Sequence, residues 1–135
     1  MVEKRFPRVI ESLASLTRFV HEFFAQHGLP AEETFHVDLV LEELFTNMVR
    51  HARGGREEIA VALDHAPSVV TLRLRDFDVE PWELSQAPEP DLTLPIEDRR
   101  PGGLGLFLVR QFTTRLQYEH SDGVTTVTAE LEVPA

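Results

Sequence analysis

The sequence predicts an α+β domain in which a sheet and a layer of helices pack together as a two-layer α/β sandwich. Long stretches with apolar residues every three or four positions indicate amphipathic helices. Shorter stretches that alternate apolar and polar residues indicate strands. Their order is strand, helix, helix, two strands, a proline-rich segment, helix and two strands. Because so many strands adjoin in hairpins, we expect a mixed, mainly antiparallel sheet with the helices on one face.

The N-terminal part of the chain is predicted to form a short strand and two helices. The strand ends within residues 6–9, and apolar residues at helical spacing then predict a helix over roughly residues 10–27. Gly28 and Pro30 end that helix. The acidic residues after Pro30 suit the first turn of a second helix, where the helix dipole favours them. Two glycines end this second helix near residue 52.

The C-terminal part is predicted to contribute four strands and one helix. Alternating apolar residues over 59–63 and 70–74 predict two strands joined by a turn. An apolar helix is expected over about residues 104–114. The stretches 116–120 and 124–133 then form a closing hairpin around a Ser-Asp-Gly turn.

A proline-rich segment interrupts the regular pattern between the third strand and the last helix. Residues 76–101 contain five prolines and many acidic residues. An irregular segment of this length inside a compact domain is more often a functional lid than an idle linker. We therefore expect a single domain over residues 1–135, with a lid at about residues 86–103.

Composition excludes several classes of function. The formal net charge is −10, from 23 acidic and 13 basic residues, and such a surface repels nucleic acids. No apolar run approaches the roughly 18 residues of a membrane span, and the N-terminus has no secretory h-region. The chain has no cysteine, which excludes disulfides and thiol chemistry. We expect a cytoplasmic protein without nucleic-acid or membrane partners.

The second predicted helix carries a polar stripe beside its apolar face. At 100° per residue, Glu43, Asn47 and Arg50 fall within about 60° of one another, whereas Glu42 points about 100° away from Glu43, toward solvent. An asparagine amide oxygen can ligate Mg²⁺, and a carboxylate one turn earlier can take a proton from a nearby hydroxyl. The alternative is a solvated helix face with ordinary contacts between successive turns.

Two further features suit a nucleotide. The glycine-rich stretch 100–105 leads directly into an apolar helix, so flexible backbone and free helix N-terminal amides are available to phosphate oxygens. The alternative is a junction that needs glycine only for its dihedral angles. Asp76 ends a strand, where a carboxylate can accept a hydrogen bond from an exocyclic amine such as that of adenine. The alternative there is an ordinary turn residue.

Together these segments are more specific than any one of them. The stretch 43–52 reads Glu-x-x-x-Asn-x-x-Arg-His-Ala, Asp76 follows at a strand end, and Gly-Gly-Leu-Gly-Leu occupies 102–106. Gly-x-Thr-Thr-Val-Thr then occupies 123–128. This order resembles the histidine-kinase-like (GHKL) ATPase superfamily, which has the Bergerat fold. The small size and short lid resemble its anti-sigma-factor branch of bacterial serine/threonine kinases.

The resemblance implies a role for each matched residue. Glu43 would be the general base that activates a serine or threonine hydroxyl of a protein substrate. Asn47 would ligate Mg²⁺ and contact ATP, and Asp76 would bind the adenine amine. The other implied ATP contacts are Arg50, His51, Asp78, Arg100, Gly102, Gly103, Leu104, Gly105, Leu106 and Thr126.

The resemblance also implies cofactors and partners. The cofactors would be ATP and Mg²⁺. The substrate would be a small STAS-type antagonist of the anti-sigma factor, and the alternative partner would be a sigma factor held inactive. Members of this branch commonly form homodimers, so we expect a homodimer here.

One position departs from the family's pattern. The family usually has glycine two residues after the adenine-binding aspartate, whereas this chain has Asp78. Aspartate tolerates unusual backbone angles better than most residues, but it adds bulk and negative charge. The alternative to a kinase is therefore a module of the same fold that sequesters a protein and binds nucleotide weakly or not at all.

Overall fold

The computed structural model describes residues 1–52, 54–81 and 103–134. Within them, one five-stranded sheet has the order β1-β2-β3-β5-β4. The strands are β1 Val2–Pro7, β2 Glu58–Ala66, β3 Val69–Asp76, β4 Arg115–Ser121 and β5 Val124–Glu132. Every pairing is antiparallel. The prediction of a mainly antiparallel sheet is confirmed. No described pairing is parallel, because β5 rather than β4 lies beside β3 and runs antiparallel to it, and β4 joins the sheet as the hairpin partner of β5.

Three helices accompany the sheet within the described residues. They are α1 Leu13–Gln26, α2 Thr34–His51 and α3 Gly103–Phe112. Short 3₁₀ turns, Ile10–Ser12 and Ala31–Glu33, precede α1 and α2. The sequence pattern merged each turn with its helix, since both present side chains at similar spacing.

The helices pack on one face of the sheet and enclose a single described core. Residues of β3 alternate between partly exposed and buried, so that one face of the strand is apolar. Phe24 of α1 and Phe45 of α2 lie in the same buried cluster as Leu72 and Leu74 of β3. The predicted α+β class is confirmed, because one face of the sheet meets the helices while the other carries polar side chains.

This packing brings three chain segments together at one end of the sheet. Asp76 ends β3, the C-terminal half of α2 lies against that strand, and α2 also contacts α3. The predicted lid falls outside the described residues except for Gly103, which begins α3. Among the helices of the described segments, none combines the length and the hydrophobicity that a membrane crossing requires.

We predict that Phe45→Ala lowers the free energy of unfolding by about 3–5 kcal/mol, because it removes a core ring and leaves a cavity. The matched control is Phe35→Ala on the same helix. Phe45 has no exposed surface, whereas Phe35 is 65% exposed. The control should change stability by no more than about 0.5 kcal/mol. Urea denaturation measures both, and equal effects would contradict the described orientation of α2.

Candidate functional site

A pocket opens where α2 faces the ends of β3 and β5. Its volume is about 320 Å³ including the open mouth. The residues that line it are Leu44, Met48, Ala52, Asp76, Glu80, Thr125 and Val127. The walls are therefore mostly apolar, with two carboxylates and one hydroxyl, which is the usual make-up of a small-molecule site.

Asp76 is the polar centre of this pocket. Its residue has no exposed surface, and it lies opposite Thr125 in the β3–β5 register. Its Oδ1 atom is held in an ion pair, whereas its Oδ2 atom has no hydrogen-bond partner within the described part of the chain. A buried acceptor without a partner is costly. A ligand that donates a hydrogen bond into the pocket would remove that cost.

Arg8 is the ion-pair partner of Asp76, and the sequence analysis missed it. Its Nη2 atom pairs with Oδ1 of Asp76. Its Nε donates to the carbonyl oxygen of Arg56 over 2.8 Å, and its Nη1 donates to that of Met48 over 3.1 Å. Burial lowers the pKa of the Arg8 side chain, although a guanidinium remains charged under ordinary conditions.

Gly55 gives the Arg8 side chain its room. Gly55 has φ +104°, and a Cβ atom there would lie 2.5 Å from Nη2 of Arg8. Any other residue would be strained by both the backbone angle and the collision. The pair of glycines after the second predicted helix was the sequence signal for this close approach, but periodicity assigned it only the role of ending a helix.

The polar stripe on α2 has the predicted orientation. Glu42 and Arg50 are exposed, Glu43 is half-buried, and Asn47 is 7% exposed. Glu43 and its neighbour Glu42 therefore occupy different environments, as the helical geometry predicts. The side chain of Asn47 lies one turn after Glu43 at the margin of the core, close to the pocket residues of the same helix.

Gly105 brings the two sequence motifs together. A Cβ atom at Gly105 would fall on the carboxylate of Glu43. The first turn of α3 therefore approaches α2 so closely that only glycine leaves the carboxylate in its position. This contact places a half-buried acid beside the N-terminal turn of α3, whose free amides favour negative charge.

The buried setting of Glu43 alters its acidity. Burial raises the pKa of its carboxyl group, and the negative charge of Glu42 acts in the same direction. The positive charge of Arg50 partly offsets them. A carboxylate with a raised pKa is a stronger proton acceptor than an exposed one, which suits a general base.

Thr126, a predicted ATP contact, lies beside the pocket lining rather than in it. Successive residues of a strand point to opposite faces, and the pocket is lined by Thr125 and Val127. Thr126 pairs with Arg75 in the β3–β5 register and lies on the other face of the sheet. The Thr-Thr repeat left the register ambiguous by one residue, and the strand pairing resolves it.

The side chain of Asp78 does not crowd the pocket, despite the bulk and negative charge that it adds. It has φ +57°, the left-handed conformation that glycine adopts most easily. Its carboxylate is 63% exposed and pairs with Arg56, and Asp78 is absent from the pocket lining, which includes Glu80 instead. The backbone therefore keeps the conformation expected of a glycine, while the side chain turns toward Arg56.

The remaining predicted contacts divide into four groups. Leu106 is 3% exposed and belongs to the core rather than to the pocket lining. His51 is exposed at the end of α2. Gly103 and Leu104 lie in the first turn of α3, next to the contact with Glu43. The predicted contacts at Arg100 and Gly102 lie outside the described residues.

The family comparison agrees with this geometry. The histidine kinase-like ATPase domain family matches residues 6–131. Since the match includes every described element from the end of β1 to β5, the chain belongs to the histidine kinase-like ATPase domain family.

Two similar proteins are named as kinases. The serine/threonine-protein kinase BtrW of Bordetella bronchiseptica is 33% identical over 91 residues, which cover 66% of this chain and 63% of that protein. The serine-protein kinase RsbW of Halalkalibacterium halodurans is 30% identical over 101 residues, which cover 72% of this chain and 62% of that protein. In both cases the match spans less than two thirds of the relative's length.

Solved structures support the fold. A crystal structure of the RsbU and RsbW domains of a Mycobacterium tuberculosis protein matches 98% of this chain and 33% of that chain, with a TM-score of 0.62 and 14% identity. The histidine kinase AdeS of Acinetobacter baumannii matches 100% of this chain and 69% of that chain, with a TM-score of 0.51 and 15% identity. At these identities the likeness shows the fold alone.

We predict that Glu43→Gln slightly raises the melting temperature at pH 7. The pKa of Glu43 is raised in the folded state, so its charge opposes folding at pH values above its unfolded pKa of about 4.3. The gain should disappear as the pH falls below that value, because the carboxyl group is then neutral in both states. It should be small, since the half-exposed group is screened by solvent.

Differential scanning calorimetry at pH 7 and at about pH 4 measures this effect. The control is Glu22→Gln, a substitution of the same chemistry at an exposed position of α1. A loss of stability in Glu43→Gln at pH 7 would show that the carboxylate stabilises the fold, contrary to the burial argument.

Proposed function

We propose that the protein binds ATP with Mg²⁺ in this pocket and acts as a serine/threonine protein kinase. The proposed substrate is a small STAS-type anti-sigma-factor antagonist, and the proposed alternative partner is a sigma factor that the protein holds inactive. We further propose a homodimer that acts in the cytoplasm. The kinase names of the two relatives support the enzyme class, and the strongly acidic composition argues against a nucleic-acid partner.

The observation that carries this proposal is the contact between Glu43 and Gly105. It sets a candidate base on α2 directly beside the first turn of α3, where helix N-terminal amides suit phosphate oxygens. The buried carboxylate of Asp76 lines the pocket together with Leu44 and Met48 of α2. The adenine amine would donate a hydrogen bond to Asp76, and the phosphates would lie toward Glu43.

The residues present fit a magnesium ion carried in with the nucleotide. Mg²⁺ commonly takes one or two protein oxygens and completes its octahedron with water and phosphate oxygens. The amide of Asn47, one turn after Glu43, can supply that protein oxygen. When bound, the ion would neutralise phosphate charge.

The proposed chemistry is direct transfer of the γ-phosphoryl group. The substrate hydroxyl oxygen forms a bond to the γ-phosphorus, and the bond from that phosphorus to the bridging oxygen of ADP breaks. Glu43 accepts the hydroxyl proton. Phosphoryl transfer depends mainly on positioning and charge neutralisation, so the protein has to provide alignment, amides and one base.

A sequestering module without catalysis is the second candidate, and Asp78 is the observation behind it. The exposed pairing of Asp78 with Arg56 weakens that case, because the added charge does not point into the pocket. The half-buried Glu43 with its raised pKa favours the kinase, since a solvated structural acid needs no such setting.

The proposal predicts nucleotide binding and transfer that respond differently to substitution of Glu43. Mg-ATP at about 100 times its dissociation constant should stabilise the protein by roughly 2.7 kcal/mol. Glu43→Gln should abolish transfer to an antagonist protein but leave ATP affinity nearly unchanged, because a base acts in the transition state. Calorimetric titration measures binding, and radiolabelled phosphate on candidate antagonists from the same genome measures transfer.

The control is Glu42→Gln, the neighbouring acid on the exposed side of α2, which should retain transfer. No binding of Mg-ATP to the wild-type protein would refute the nucleotide site. Binding without transfer to any antagonist would favour the sequestering module.

A separate prediction concerns Gly105. Gly105→Ala should lower the transfer rate at least tenfold, because the methyl group takes the place of the Glu43 carboxylate and a displaced base is ineffective. Stability should not fall much, since the end of a flexible side chain can move aside and alanine favours a helix by about 1 kcal/mol. Gln111→Ala, at an exposed position of the same helix, is the control. An unchanged transfer rate in Gly105→Ala would show that Glu43 does not act in catalysis.

A further inference from the structure

Asp76, the carboxylate proposed to bind adenine, has an ion-pair partner that does not itself line the pocket. Asp76 is part of the pocket wall, whereas Arg8 is absent from it. Within the described residues, Arg8 provides the ion pair to Oδ1 of Asp76, and Oδ2 has no partner. One oxygen is thus held by the protein, and the other is available to a donor in the pocket.

The Arg8 guanidinium cannot turn without breaking other contacts. Its Nε and Nη1 atoms donate to the carbonyl oxygens of Arg56 and Met48, and Gly55 packs against its plane. The backbone amide of Arg8 also donates to the carbonyl oxygen of Glu57 over 2.7 Å. A planar fork fixed at three points presents its remaining N–H groups in one direction, and this direction sets the orientation of Asp76.

The charge of Arg8 also compensates for the burial of Asp76. A carboxylate with no exposed surface is strongly disfavoured unless an opposite charge or several donors accompany it. The pocket walls offer little compensation, because Leu44, Met48 and Val127 are apolar. Without Arg8, the carboxyl group would have to rotate, take up a proton or draw water into the pocket.

We propose that Arg8 is a positioning residue for the selection of the nucleobase. It holds Asp76 charged and turned so that the free oxygen meets the 6-amino group of a purine. The inference rests on the proposed function, since it assumes that the adenine of ATP enters this pocket. It assigns the preference for a 6-amino purine to the pair of Arg8 and Asp76 rather than to Asp76 alone.

The test compares two nucleotides that differ only in that amine, ATP and purine riboside triphosphate, each with Mg²⁺. In wild-type protein, ATP should bind more tightly by on the order of tenfold or more, the usual worth of a hydrogen bond to a charged group. Arg8→Met should weaken ATP binding, leave the analogue unchanged and bring the affinity ratio close to one. Arg8→Lys should recover part of the ratio, because it restores charge but not the fork.

The matched control is Arg5→Met. Arg5 lies on β1 three residues earlier, and its guanidinium sits 5.0 Å from the Phe77 ring, so the variant removes an arginine without touching Asp76. It should keep the wild-type ratio. If Arg8→Met does not fold, Arg8→Lys tests the proposal, because its affinity ratio for the two nucleotides should lie between one and the wild-type value. A wild-type ratio in Arg8→Lys would overturn the proposal.

Other results would overturn the inference in recognisable ways. An equal loss for both nucleotides in Arg8→Met would make Arg8 a purely structural residue. Tighter ATP binding in Arg8→Met would mean that Arg8 competes with the nucleotide for Asp76. A wild-type protein that binds both nucleotides equally would refute amine recognition by Asp76, whereas one that binds neither would refute the proposed function itself.

Discussion

The burial of Asp76 without any exposed surface is the constraint on which the pocket depends. A carboxylate in such a place requires compensation, and Arg8 provides it only because several distant segments converge on its guanidinium. Arg8 directly follows β1. The segment before β2 and the last turns of α2 provide the carbonyl oxygens that accept its hydrogen bonds, and Gly55 has no side chain to collide with it. The sheet and α2 thus meet at this ion pair, and Asp76 lines a mostly apolar pocket.

Helix α2 serves the core and the site with different faces of the same turns. Leu44 and Phe45 are buried, and the stripe of Glu43 and Asn47 lies at the edge of that apolar face. Because the core fixes the helix, it also fixes the height at which Glu43 meets Gly105 of α3. A shift of α2 along its axis would separate Glu43 from the N-terminus of α3 and would also disrupt the core.

The sequence predicts the elements of this site better than the contacts between them. Helical periodicity distinguishes Glu43 from Glu42, and the end of an alternating strand singles out Asp76, because both signals are local. Arg8 was missed since its partner lies 68 positions away, and nothing near it in the sequence indicates a charge partner. Two adjacent threonines do not reveal which one faces inward, and the structure places Thr125 rather than Thr126 in the pocket lining. The direction of the Asp78 side chain depends on Arg56, a loop residue that periodicity cannot place.

The most direct test of this account is a crystal structure of the protein with Mg²⁺ and a non-hydrolysable ATP analogue. We expect the adenine amine within hydrogen-bond distance of Asp76, with Arg8 still paired to the same carboxylate. We also expect the phosphates at the first turn of α3, within reach of Asn47 and beside Glu43. An adenine bound outside the pocket, or an Asp76 carboxylate that contacts only Arg8 in the complex, would contradict this expectation.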